Sequence, residues 1–170
     1  FLVRLYATPM KGADFILGYT LPMLALAFAQ IIITFAAGFV ISLITGQSLN
    51  VGGMLLAAAA LIPSAVMFIC FGLLFGTLFS EKAAPGLCSV LISLASFLGG
   101  IWFDADGTGG VLLTICRALP FYHSVKTAHL LFAMETEGLG VHLLITLAYT
   151  AVVAVASVLV FKSRMRADLA

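Results

Sequence analysis

Residues 17 to 45 run from Leu17 to Thr45 without a single charged side chain. About 20 apolar residues in a helix already cross the roughly 30 Å of hydrocarbon in a bilayer. Three more apolar runs follow, at about 51–79, about 84–103 and about 139–161. Composition agrees: the chain is 63% hydrophobic and 9% charged, where a soluble domain carries about a quarter charged residues. With a mean hydropathy of +1.22 it cannot cover a water-facing surface. The expected class is an all-α integral membrane protein, one membrane domain over residues 1–170 without a soluble module.

The breaks between the first three runs are "TGQSLNVGG" (45–53) and "SEKAAPG" (80–86). Both are rich in turn formers and short enough to join antiparallel neighbours. The segment 104–138 is different. Its apolar part carries Arg117, His123, Lys126 and His129, with Pro120 in the middle. A central Arg or Lys in a lipid-exposed helix costs about 2.5 to 3.5 kcal/mol, and Pro120 favours a break at Leu119. The segment therefore reads as a re-entrant helical hairpin, about 108–132, that dips into the outer leaflet packed against protein.

Charge supports four transmembrane helices plus this hairpin. With residues 1–16 inside, Arg4, Lys11, Lys82, Lys162, Arg164 and Arg166 are cytoplasmic, and Asp104, Asp106, Glu135 and Glu137 lie outside, as the positive-inside rule asks. Both ends of the chain are then cytoplasmic. A fifth span would turn "KSRMR" outward.

Several chemistries find no support in the residues. Cys70, Cys88 and Cys116 show no C-x-x-C spacing, and His123 and His129 lack a metal-binding arrangement. "DADGTGG" (104–110) begins like a calcium loop but has Ile115 where the bidentate Glu belongs; it reads as a glycine-rich exit turn. No catalytic residues, metal site, nucleotide-binding loop or nucleic-acid-binding basic face is expected. No ionisable residue falls in the central part of any span, whereas ion-coupled carriers usually need one there. The buried polar residues Gln30, Thr34, Ser42, Ser93 and Ser96 bridge helices or line a path, which suits an amphipathic or lipid-like substrate. Gly72 and Gly76, at i and i+4 in "FGLLFG", have the small-xxx-small spacing of a close helix contact. Pro22 and Pro63 should kink their spans. Lys126 and the histidines are expected at head-group level, where cationic stems snorkel, and Trp102 at the outer end of its span.

Two local stretches add to this. Residues 4–18 follow the form R-L-x-x-T-P-x-x-x-x-x-x-I-L-G, with Arg4, Leu5, Thr8, Pro9, Ile16, Leu17 and Gly18 in those places. In "ALPFYHSVKTAHLLF", Leu119 and Pro120 match an L-P-x-x-Y/H segment that follows a re-entrant loop. On this topology the chain resembles the permease subunits of type-two ABC exporters, the class of drug, polysaccharide and lipid exporters. The resemblance covers the last four of that family's six helices and lacks the first pair. That fits a fragment of a longer protein.

The resemblance implies a multi-pass plasma-membrane permease that forms a homodimer or heterodimer and docks on separate ATP-binding cassette subunits. ATP would bind there, with no cofactor on this chain. It also implies that Arg4, Leu5, Thr8, Pro9, Lys11 and Asp14 form the segment the ATPase contacts. Thr8 is a good N-cap and Pro9 suits N1, so a lever helix can run from this segment into the first span. Leu119, Pro120 and Phe121 are expected at a gate on the outer end of the path. Alternatives are a gradient-driven carrier or channel, and a lipid-modifying membrane enzyme.

Overall fold

The computed structural model describes residues 12–46 and 50–167, and every regular element among them is a helix. In chain order they are α1 (Gly12–Thr45), α2 (Val51–Ala60), α3 (Ile62–Leu78), α4 (Ala84–Leu98), α5 (Ala105–Thr108), α6 (Gly110–Ala118), α7 (Pro120–Phe132) and α8 (Leu139–Ala167). Among the described residues three stretches are long and apolar enough to cross a membrane: Leu17–Thr45, Val51–Leu78 and Leu139–Arg164. The chain is an all-α, multi-pass membrane protein.

Local chemistry explains the boundaries. Asn50 caps α2, its side chain accepting from the Gly53 N–H at 3.2 Å, as an N-cap residue should. The second span keeps helical bonds across its junction: the Leu61 N–H donates to the Ala57 carbonyl and the Leu61 carbonyl accepts from the Ala65 N–H, each at 3.0 Å, so Val51–Leu78 is one stretch of 28 residues. Leu61 separates α2 from α3, and Pro63 sits in the first turn of α3, where its missing N–H has no helical partner to lose. The Thr150 hydroxyl of α8 shares its one proton between the Pro63 carbonyl at 3.0 Å and the Thr146 carbonyl at 2.8 Å. In α1, by contrast, the helix continues through Pro22.

The third run is shorter than its sequence promised. Helix α4 stops at Leu98 after 15 residues, about 22 Å at 1.5 Å per residue. Gly99 and Gly100 end it, Gly100 at φ +75, a left-handed conformation that side chains resist. Trp102 thus stands in the turn beyond the helix, 78% exposed.

The core lies between α3, α7 and α8, with α2 packed over α7 and α4 beside α3. Met67, Ala95 and Phe121 form one buried cluster, and Ala57, Ala128 and Leu131 another. Helix α2 comes very close to α7: a Cβ on Gly53 would stand 2.5 Å from the Leu131 carbonyl oxygen and 3.1 Å from that of Phe132. This contact is where glycine is required. Gly72 and Gly76 have nothing within 4 Å of a built Cβ, so no helix of this chain seats against them among the described residues.

Helix α1 lies at the margin. No residue in its most apolar 18-residue window is buried, and its Phe35 meets Phe132 of α7 edge to face, centroids 5.9 Å apart. Arg4, Leu5, Thr8, Pro9 and Lys11 lie outside the described residues; Asp14 is exposed in the first turn of α1.

Candidate functional site

Helices α6 and α7 occupy the segment between the third and fourth apolar runs, where the sequence leads one to expect a re-entrant hairpin. Leu119 joins them in an extended conformation (φ −107, ψ 146), and Pro120 begins α7. The residue before a proline is pushed out of the α region, and proline at N1 is already shaped for the helix that follows. Two adjacent residues therefore set the bend.

The hairpin tip is not open. Pro120, Phe121, Tyr122, His123 and Ser124 are all buried. Phe121 stacks on Phe68 at 5.7 Å and 25° and joins Met67 and Ala95, with Leu119 packed at the margin. Leu119, Pro120 and Phe121 thus sit together against α3, α4 and α8. Pulling Phe121 out of such a pocket exposes an aromatic ring and leaves a void.

Polar contacts tie the hairpin down on two sides. Toward α8, the Tyr149 hydroxyl donates to the Ala118 carbonyl at 2.8 Å, and Ser124 lies 3.5 Å from Thr146, hydroxyl to hydroxyl. His123 meets His142 Nδ1 to Nδ1 at 2.7 Å, and its Nε2 is 2.9 Å from the Arg117 carbonyl oxygen. His123 is 6% exposed, so it is an interior residue and not a head-group anchor; only His129 is exposed as expected.

On the other side stands Asp106. One carboxylate oxygen accepts from the Tyr122 hydroxyl at 2.6 Å and from Arg117 at 3.2 Å; the other accepts from Lys126 at 2.5 Å. The Lys126 ammonium, then the Tyr122 hydroxyl and Arg117, hold this carboxyl well below the usual carboxylate range, against the opposing pull of burial. Asp106 in turn raises Lys126. Burial, with Asp106 next, raises Tyr122, so the phenol stays protonated and donates. The short helix α5 presents Asp106, and Asp104 caps it through a bond from the Asp106 N–H at 3.2 Å.

Asp106 is the residue that reading the sequence missed, because "DADGTGG" looked like a turn. The signal was indirect: two cations in an apolar hairpin need a carboxylate partner. The arrangement holds α5, α6 and α7 together. Among the described residues no group of His, Cys, Asp and Glu has metal-site geometry.

Residues 1–132 match the family described as ABC-2 type transporter. No curated protein and no solved structure matches the chain. The family match spans well over half of the sequence, through the first three apolar runs and both arms of the hairpin, and the chain belongs to the ABC-2 type transporter family.

Proposed function

We propose that this chain is the permease subunit of an ATP-driven exporter in the plasma membrane, moving an amphipathic or lipid-like substrate out of the cytoplasm. The observation that carries the reading is the family match over residues 1–132. A separate ATP-binding cassette subunit supplies hydrolysis, and two permeases, identical or different, enclose the path. Export, rather than import, follows from the resemblance of residues 4–18 and 119–120 to exporter permeases. The lipid-like substrate class follows from spans whose central parts bear only apolar, small and uncharged polar side chains.

The mechanism begins at Arg4, Leu5, Thr8, Pro9, Lys11 and Asp14, on which the ATPase pushes. Helix α1 buries little of itself in the rest of the chain, so it tilts without breaking the core. The Phe35–Phe132 contact passes that tilt to α7, and the movement reaches Leu119, Pro120 and Phe121 at the other end of α7. The hairpin then acts as the outer gate.

The test is co-purification of the full-length protein from its native membrane, followed by mass spectrometry of the soluble chains. An ATPase with Walker motifs should be recovered, and should be lost when Arg4 and Lys11 are both changed to Ala. Recovery of no such subunit in mild detergent would sink the proposal and favour a self-sufficient carrier.

A further inference from the structure

Where α4 ends, the chain turns away through Gly99 and Gly100 and leaves a cavity of about 350 Å³ against α7. Its walls include Trp102, Asp104, Asp106, Tyr122, Lys126 and His129. That volume falls in the range of small-molecule sites, which begin at about 300 Å³.

The charged groups around it are not equally available. Asp106 already accepts from three donors. Lys126 gives one of its three N–H groups to Asp106 and keeps two. His129 lies three residues on, on the same face of α7, and is exposed. Opposite them, Asp104 uses Oδ1 for its cap. Its Oδ2 accepts no hydrogen bond among the described residues, and Gly107, where a Cβ would stand 3.0 Å from it, adds no side chain there. Donors therefore line the α7 wall and an acceptor lines the turn. The charged wall residues are Asp104, Asp106 and Lys126; with Arg117, which stands outside the wall but pairs with Asp106 at 3.2 Å, the formal charges cancel, which matches a ligand carrying both signs better than a net ion.

Depth identifies the source of that ligand. A helix of about 22 Å falls about 8 Å short of the roughly 30 Å hydrocarbon layer, and a bilayer thins around a short stretch. Lipid head groups on that side are thereby drawn toward the cavity. Ile101 and Trp102, 58% and 78% exposed, flank it as an apolar lip where acyl chains begin.

We propose that this cavity binds the head group of a zwitterionic phospholipid, the phosphate toward Lys126 and His129 and a primary ammonium toward Asp104 Oδ2. The site requires only that the chain lie in lipid. It does not depend on coupling to ATP, so binding measured without nucleotide separates this proposal from the exporter reading.

Native mass spectrometry of the full-length transporter decides it. The added probes are phosphatidylethanolamine, phosphatidylcholine and phosphatidylglycerol of one acyl length, and soluble phosphoethanolamine. Phosphatidylethanolamine should bind saturably, one per chain. Phosphatidylcholine, which has no ammonium N–H, and phosphatidylglycerol, which has no cation, should bind about tenfold more weakly, the factor expected for one lost charge-assisted hydrogen bond. Lys126→Gln and His129→Ala should each weaken binding by a similar factor; His129→Ala leaves the Asp106 contacts in place and so guards against misfolding. Equal retention of the three lipids, or binding unchanged in His129→Ala, overturns the proposal. Phosphoethanolamine binding as tightly as the lipid overturns the membrane as the source.

Discussion

His123 and His142 share one hydrogen bond between their Nδ1 atoms at 2.7 Å, while the Nε2 of His123 faces the Arg117 carbonyl at 2.9 Å. A carbonyl only accepts, so the His123 Nε2 carries its proton and donates. The neutral ring then accepts at Nδ1, and His142 donates from Nδ1–H. One tautomer on each ring satisfies the pair. It joins α7 to the first turn of α8 across 19 residues of sequence.

His142→Phe keeps the ring volume and removes the donor. It strands the buried His123 acceptor, which costs about 1–3 kcal/mol. The loss is measured as a lower unfolding midpoint in detergent. A midpoint equal to that of the unmodified protein would mean the two rings do not share a proton.

The Asp106 carboxyl makes a distinct pH prediction. Its folded-state pKa is depressed, chiefly by Lys126 and then Tyr122. Its stabilisation is therefore full above the ordinary carboxylate value of about 3.9 and fades as pH falls from there toward the depressed value. Asp106→Asn should be less stable than the parent at neutral pH, and the gap should narrow only in strongly acidic solution. Denaturation of both proteins across that range checks it; a gap closing near pH 6, on the order of the histidine value, contradicts the assignment to Asp106.

Gly53→Ala places a methyl group 2.5 Å from the Leu131 carbonyl oxygen. Both sides of that contact are backbone, so α2 and α7 must separate. The expected loss is about 1–3 kcal/mol, typical of overpacking. Gly72→Ala, with open space at its built Cβ, serves as the control and should leave the stability of the single chain unchanged. Thermal unfolding of the pair separates a true close approach from a general intolerance of change. If Gly72→Ala instead weakens association between permease copies, the small-residue face serves the assembly.

Pro120 and Phe121 are neighbours with different expected phenotypes. Pro120 sits at N1 of α7, where alanine is tolerated, so Pro120→Ala should leave expression near normal while altering transport. Phe121→Ala empties a buried site beside Met67, Ala95 and Phe68 and should cost about 3–5 kcal/mol. Transport and folding assays on the two variants together test the gate. Transport unaffected by Pro120→Ala argues that the bend is architecture alone.

The parts legible in the sequence were those governed by local rules. The run from Leu17 to Thr45 needed only length and the absence of charge, and the bend at Leu119–Pro120 needed only proline sterics. The end of α4 at Leu98 was harder, because Ile101, Trp102 and Phe103 extend the apolar run past the glycines that stop the helix. The contacts of Asp106 and His142 were invisible for another reason. Each joins residues 11 to 20 positions apart, and no period or spacing records which turn of one helix meets which turn of another. The interior placement of His123 follows from that same pairing.

The bond from Thr150 to the Pro63 carbonyl spans 87 residues, and it belongs to the contact between α3 and α8 that organises the core. Chains grow at about 5–20 residues per second, so α3 waits on the order of ten seconds after synthesis for its main partner to emerge. Until then the second span must be sheltered by the insertion machinery or by lipid. Assembly of this permease is consequently governed by α8: truncation before Thr150 should yield an inserted chain that remains a target for membrane proteolysis, even with α1 to α4 intact.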